Sequence, residues 1–155
     1  VFKSNEPDTI RNLGFDVNIW DPDEFGVPNM GLTYIALSTM ADEDPAIVER
    51  FLKATLKGLR YAVDNRNEAV DIVLKFAPGE NREHQHFMLE DEIRDAVSPL
   101  TDEHGLGWMT EDQWRALYEH LIEFGALPAA FDYETAFTDR FLRAVYDESG
   151  TLRWP

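Results

Sequence analysis

Residues 44–79 constrain the fold most, because they read as two helices with a marked break between them. Pro45 suits the first position of a helix, where its missing N–H group would have no partner, and Asp44 before it is a candidate cap. Apolar residues then recur at helical spacing. Asn67 can cap a second helix, which Pro78-Gly79 ends. The segment predicts an amphipathic helix pair.

The apolar residues of this pair define the face that we expect to be buried: Phe51, Leu56, Leu59, Val63, Val70 and Leu74. More helices are predicted downstream. Asn81 or Glu83 begins one, and Thr110 with Gln113 forms a capping-box pattern that begins another. Ser98-Pro99 ends the first of these, and a loop is predicted from Thr101 to Gly107.

The residues before position 41 favour strands. Apolar and polar residues alternate in Phe15–Trp20, and Leu32–Ser38 is rich in residues that favour strands; Val1–Lys3 resembles the end of a third strand. A loop is predicted over 24–31. Two or three strands make a poor sheet by themselves, so we expect the sheet to have further members outside this chain. The predicted fold class is α/β and helix-dominated.

Composition excludes several functions. The chain has 30 acidic and 14 basic residues and a net charge of -16, so its surface repels phosphate backbones and nucleic acid is not an expected partner. It contains no cysteine, which excludes thiol nucleophiles, thiolate metal sites and disulfides within the chain. No apolar run approaches the length of a membrane span.

The order of residues in 44–78 resembles that of solute-binding proteins of ABC importers, in the group that binds thiamine pyrimidines, riboflavin and sulfonates. The resemblance extends to other motifs along the chain. Asn5-Glu6-Pro7 with Leu13-Gly14 is similar to a conserved step of that family, and Glu24-Phe25-Gly26-Val27 to a turn in which Asp is usual at the position of Glu24. Gly107–Thr110 and Phe137–Leu142 resemble two later motifs.

The resemblance implies the C-terminal part of a type II periplasmic-binding-protein fold. Residues 1–40 would form the strand-rich end of one lobe and a crossover, and residues 41–155 the helical C-terminal part, together one structural unit and a fragment of a longer protein. It implies a periplasmic or otherwise extracytoplasmic location, and the protein could be a lipoprotein. No cofactor is expected. The expected partners are a small vitamin precursor or aromatic heterocycle and an ABC permease. Contact with the membrane is expected only through that permease or an upstream lipid anchor.

Four residues are candidate ligand contacts under this resemblance. Asn5 and Glu6 carry an amide and a carboxylate that could hydrogen-bond an amine or ring nitrogen; the alternative is that they cap the helix begun at Pro7. Glu24 and Phe25 offer a charge and an aromatic face for a heterocycle; the alternative is a hinge turn between lobes.

Other chemistries are less favoured by the sequence. His84 and His86 are two residues apart and point to different faces of a helix, so we expect a solvated surface helix rather than a metal site. The fungal thiamine-pyrimidine synthases share the expected fold and are the enzyme alternative, but they carry a Cys-rich iron motif that is absent here. A ligand-sensing domain of the same fold is a third possibility, while binding without catalysis is the expectation.

Overall fold

The computed structural model describes residues 1–27 and 30–154, and it is dominated by helices within these ranges. Two short 3-10 helices, Pro22–Phe25 and Tyr133–Ala136, accompany the α-helices. The α-helices are α1 (Glu6–Asn12), α2 (Ser38–Glu43), α3 (Pro45–Asp64), α4 (Arg66–Phe76), α5 (Arg82–Ala96), α6 (Pro99–His104), α7 (Glu111–Glu123) and α8 (Arg140–Val145).

The helix pair predicted over residues 44–79 is confirmed as α3 and α4. α3 begins at Pro45, and α4 ends at Phe76, just before Pro78-Gly79. Two details were wrong: the Asp44 side chain makes no capping hydrogen bond, and α4 follows Asn65 rather than Asn67. The break between the helices is a single residue.

Side-chain caps fix the starts of the later helices. Asn81 accepts a hydrogen bond from the backbone N–H of His84 (2.9 Å) and begins α5. The predicted capping box of α7 is confirmed, since Gln113 Oε1 accepts from Thr110 N at 2.8 Å and Thr110 Oγ1 from Gln113 N at 3.3 Å. A second capping box, Ser98 with Thr101, begins α6, where a loop was predicted.

The predicted strands are wrong. The described residues form no strand: Phe15–Trp20 and 33–37 have no regular secondary structure, Leu32 lies in a bend, Ser38 begins α2, and Lys3 lies in a turn. A strand is stabilised by hydrogen bonds to a neighbouring strand, and no segment of the described chain offers them. The predicted loop over 24–31 contains Pro28 and Asn29, which lie outside the described residues. The helix-dominated part of the fold class is confirmed.

The core lies where α3 meets α8 and the residues around them. Its buried members are Leu56, Leu142, Val145 and Tyr146, and Leu52, Trp108, Met109 and Leu152 pack against it. The predicted face of the helix pair is confirmed for the buried Leu56 and Val70, and Leu59, Val63 and Leu74 are half-buried. Phe51 is 52% exposed, so the prediction that it is buried was wrong; its ring makes a T-shaped contact with that of Tyr34, with the ring centroids 5.5 Å apart.

Two glycines let the C-terminal loop close on this core. A Cβ atom on Gly105, whose φ is +105°, would lie 2.4 Å from Tyr146 Cε1. A Cβ atom on Gly150 would lie 2.6 Å from the backbone oxygen of Glu103. The loop is closed by an antiparallel bridge between Tyr146 and Leu152. Because neither glycine carries a side chain, the loop packs directly against the end of α6.

α4 and α5 pack side by side and are joined by ion pairs. Arg82 pairs with Asp71 at 2.8 Å, and Arg66 pairs with Glu90. No helix in the described residues is both long and apolar enough to cross a membrane.

Candidate functional site

The N-terminal residues lie against α5 through a row of polar contacts. Lys3 Nζ donates to Asp95 at 2.9 Å, and the Ser4 hydroxyl donates to Glu92 Oε1 at 2.5 Å. Ser4 is buried, as is the following Pro7. Together these contacts hold the segment 3–8 against the acidic side of α5.

His84 of α5 completes this row. Its Nδ1 atom lies 2.7 Å from Asp8 Oδ2, and its Nε2 atom lies 3.0 Å from Asn5 Oδ1. The His84 side chain is 16% exposed, so its predicted place on a solvated helix surface was wrong. A protonated imidazole would donate to both oxygens; a neutral ring could instead accept from the Asn5 amide if that amide were turned over. The Asn5 side chain contacts His84 and makes no cap hydrogen bond to α1.

Lys3 also connects this row to the second candidate segment. Its Nζ atom lies 2.9 Å from Asp21 Oδ2, and the Asp21 side chain caps the 3-10 helix Pro22–Phe25 by accepting from Asp23 N. The pKa of Lys3 is raised mainly by its hydrogen bond to Asp95, and next by its hydrogen bond to Asp21. The same contact with Lys3 lowers the pKa of Asp21. The lysine is therefore a cation held between two carboxylates.

Glu6 is ionised and oriented by backbone groups. Its Oε2 atom accepts from Phe2 N at 2.7 Å. Hydrogen bonds from its own backbone N–H and from that of Phe2 lower its pKa. A carboxylate has about four lone-pair positions, so this oxygen pair keeps capacity to accept from a ligand.

Glu24 and Phe25 lie on the 3-10 helix and are exposed. Glu24 makes no polar side-chain contact with the described residues. The Phe25 ring is 69% exposed, and its centroid lies 6.5 Å from that of Trp20, which is 82% exposed. Gly26 ends this turn with φ +75°, a conformation that glycine adopts without strain. The turn presents two adjacent aromatic rings to the outside.

Contacts therefore join the four predicted residues only indirectly. In the described ranges, no hydrogen bond, ion pair or ring contact links Asn5 or Glu6 to Glu24 or Phe25. The contact of the Lys3 side chain with Asp21 connects the N-terminal segment, which carries Asn5 and Glu6, to the turn that carries Glu24 and Phe25. The arrangement is a polar segment and an aromatic turn tied together at one lysine.

Two residues near this arrangement escaped the sequence analysis. The prediction for His84 used only the spacing between His84 and His86, and did not consider which distant residues could pack against His84. Asp91 of α5 is buried; its Oδ1 atom accepts from Arg94 at 2.6 Å, while its Oδ2 atom is buried without a partner in the described chain. Its spacing from His84 and Asp95 is the one available signal, since residues seven and four apart share a helix face.

Electrostatically, the site favours cationic or hydrogen-bond-donating groups. Carboxylates surround it: Glu6, Asp8, Asp21, Glu24, Asp91, Glu92 and Asp95. The described residues contain no group of three or more His, Asp or Glu side chains arranged to hold a metal ion. The carboxylates of the site can accept hydrogen bonds from a ligand amine, and its aromatic rings can contact a ligand ring.

Residues 1–69 match the family model described as NMT1/THI5 like. The match includes all four candidate residues, and His84 lies outside it.

Two curated relatives resemble the chain. The riboflavin-binding protein RibY of Chloroflexus aurantiacus is 30% identical over 145 residues, which are 91% of this chain and 41% of RibY. The formylaminopyrimidine-binding protein of Halalkalibacterium halodurans is 26% identical over 96 residues, which are 61% of this chain and 28% of that protein. The chain thus spans less than half the length of either relative.

No solved structure matches the chain. The sequence comparisons agree with the motifs in the N-terminal half and in α3. They confirm the resemblance inferred from the sequence: residues 1–69 are similar to the NMT1/THI5-like family, and most of the chain is similar to a protein named for binding riboflavin.

Proposed function

We propose that this chain is part of an extracytoplasmic solute-binding protein that delivers a small nitrogen heterocycle to an ABC permease. The observation that carries the proposal is that both relatives are named for binding such molecules, riboflavin in one and a formylaminopyrimidine in the other. Both molecules are flat and carry ring nitrogens. The proposed ligand class is what they share.

We further propose that the complete protein has the type II periplasmic-binding-protein fold, with this chain as its C-terminal part. Segments 15–20 and 32–37 support this, because they carry exposed apolar side chains, among them Phe15, Trp20 and Ile35, and have no strand partner in the described residues. The relatives have more than half of their length outside the matched region, which is enough for a second set of strands. The ligand would lie between the two lobes of that fold.

The recognition chemistry assigns a role to each candidate residue. Glu6 would accept a hydrogen bond from an amine or ring N–H of the ligand, and Asn5 would donate or accept depending on how His84 holds it. Phe25, beside Trp20, would cover one face of the ring. Glu24 would add a second acceptor at the rim of the site.

Binding without chemical change is part of the proposal. Both relatives are named as binding proteins. Both ring nitrogens of His84 are occupied by Asp8 and Asn5, and within the described residues no Ser, Thr or Lys side chain forms a hydrogen bond with His84. The neighbouring Lys3 is held between two carboxylates and is therefore a poor nucleophile.

Titration calorimetry on the full-length protein tests this function. The ligands are riboflavin, a formylaminopyrimidine, thiamine pyrimidines and an aromatic sulfonate. We expect one of the heterocycles to bind. Glu6→Gln should weaken it by roughly 1.5–3 kcal/mol, about ten- to a hundredfold, because a charge-assisted hydrogen bond is lost. Phe25→Ala should weaken it through loss of ring contact.

Matched variants separate site effects from general damage. Glu119→Gln removes an exposed carboxylate on α7, and Phe124→Ala removes a ring that is 71% exposed, close to the 69% of Phe25. Both should leave the affinity unchanged. If Glu6→Gln and Phe25→Ala also leave it unchanged, the site is misplaced. Turnover of the bound heterocycle would overturn the non-enzymatic function itself.

A further inference from the structure

A cavity of about 400 Å³ lies between α3 and the C-terminal loop, and none of the four candidate residues lines it. Its volume falls in the range of about 300–1,000 Å³ that is typical of small-molecule sites. It has an apolar floor, formed by Leu56, Leu106 and Leu152. Leu56 and Leu106 are buried residues, so the floor is part of the packed structure.

The walls of this cavity are aromatic and well held. The Tyr146 hydroxyl donates to the backbone oxygen of Leu106 at 2.8 Å, which fixes its ring. Trp154, which is 50% exposed, forms the outer wall. A flat ligand placed here would contact aromatic rings and leucine side chains at the same time.

Two cations stand at the mouth of the cavity. Lys57 Nζ lies 3.8 Å from the centre of the Trp154 ring, and Arg60 is one helical turn further along α3. Arg60 lines the cavity together with Tyr146. In the described chain neither cation forms an ion pair with a carboxylate.

The two cations lie in a chain in which acidic residues outnumber basic ones by 30 to 14. The carboxylate of the adjoining loop, Asp147, accepts from Ser149 N (2.9 Å), Ser149 Oγ (2.7 Å) and Thr151 N (3.0 Å). The Asp147 carboxylate therefore forms its hydrogen bonds within its own loop. The charge of Lys57 and Arg60 is thus left for another anion.

We propose that this cavity is a second binding site, for a small aromatic anion. The ring of the ligand lies on the leucine floor against Trp154, and its carboxylate contacts the Arg60 guanidinium and the Lys57 ammonium. Arg60 suits a carboxylate because its N–H groups can make two parallel hydrogen bonds. The site shares no residue with the proposed heterocycle site, so it stands or falls independently of that function.

The test is a titration of the full-length protein with 1-naphthoate, monitored by the indole N–H resonance of Trp154 in NMR spectra. Trp154→Phe identifies that resonance. We expect a saturable shift with 1-naphthoate. The neutral 1-naphthamide, which has the same rings, should bind at least about tenfold more weakly, because it lacks the charge that pairs with the cations.

Paired variants localise the effect. Lys57→Gln/Arg60→Gln should weaken 1-naphthoate binding about tenfold or more. Arg50→Gln/Lys75→Gln removes the same charge from exposed positions outside the cavity and should change affinity less than about twofold. Equal binding of the two ligands, or equal loss in the two double variants, would overturn the proposal. Absence of a saturable Trp154 shift would also overturn it.

Discussion

At the scale of single residues, glycines show most clearly how backbone and packing limit substitution. Gly105 has a positive φ and lies against the Tyr146 ring, whereas Gly58 lies inside α3 with no atom within 4 Å of the position of a Cβ. The same change, Gly to Ala, therefore meets opposite conditions at the two positions.

We predict that Gly58→Ala raises the free energy of unfolding by about 0.5–1 kcal/mol, because alanine restricts the unfolded chain and favours the helix. Gly105→Ala should lower it by roughly 2–4 kcal/mol, since a positive φ is unfavourable for alanine and the new methyl group overlaps Tyr146. Urea unfolding followed by circular dichroism measures both. Equal effects of the same sign would contradict the positions assigned to these glycines.

The start of a helix could be predicted where it depends on residues close together in the sequence. Thr110 and Gln113 could be recognised because a capping box needs only residues three apart. The partners of His84 could not be found in this way, since Asn5 and Asp8 are 79 and 76 residues distant in sequence. Neither spacing nor composition reports a contact of that range.

At the scale of elements, the attachment of the N-terminal segment to α5 depends on a few polar contacts. Lys3 contributes two of them, one to Asp95 and one to Asp21. The Lys3 side chain is 33% exposed and that of Asp95 54%, so water screens the pairs. Each such pair contributes about 1 kcal/mol or less.

Lys3→Met should therefore destabilise the protein by about 1 kcal/mol near neutral pH. Because the folded-state pKa of Asp21 is lowered from 3.8, its contribution is present above that value and is lost as pH falls through the folded pKa. Because the pKa of Lys3 is raised, the ion pair persists up to a pH of at least 10.5. Urea titrations should show that the two proteins differ at pH 7 and converge as the pH falls below the folded-state pKa of Asp21. A difference that persists undiminished in acid would rule out the ion pair as its source.

α3 supplies a further comparison, between its buried and exposed apolar residues. Leu56→Ala should lower the free energy of unfolding by about 2–5 kcal/mol, because the side chain is in the core. Phe51→Ala should lower it by less, about 1 kcal/mol, since more than half of the ring is already exposed. Thermal and urea unfolding of the two variants test the helix orientation. A larger loss for Phe51→Ala would show that α3 is rotated from the orientation described.

At the scale of the whole molecule, exposed apolar side chains are concentrated in the first 51 residues. They include Phe2, Leu13, Phe15, Trp20, Phe25, Leu32, Tyr34, Ile35, Leu37 and Phe51. Exposed apolar side chains in this number favour association with another surface. The net charge of -16 acts against contact between two copies.

We predict that the 155-residue chain is monomeric in about 10 mM salt and self-associates in about 1 M salt, where the screening length falls to about 3 Å. Ile35→Glu/Leu37→Glu should suppress association, since these side chains are 96% and 72% exposed. Asn67→Glu/Ala129→Glu adds the same charge at exposed positions elsewhere and should leave association in 1 M salt intact. Sedimentation velocity measures it. If both double variants behave alike, the apolar surface is not the contact.

The longer helices α3, α4, α5 and α7 could be predicted from the sequence and the strands could not, for one physical reason. A helix such as α3 makes its hydrogen bonds within itself, so Pro45 and the apolar spacing were enough. The segment Leu32–Ser38 has the composition of a strand but needs a neighbour that the described chain does not supply. For the candidate site, Asn5 and Glu6 were recognisable by motif, whereas the bridging role of Lys3 was not.

The position of the core in the chain has a consequence for biosynthesis. Leu56 packs with Tyr146, which the ribosome adds about 90 residues later. At about 5–20 residues per second, α3 exists for roughly 5–18 s before its partner helix has been made. During that interval its apolar face is available to chaperones, and the nascent chain cannot complete this core. The sequence order of these two helices thus delays folding until translation has passed α8.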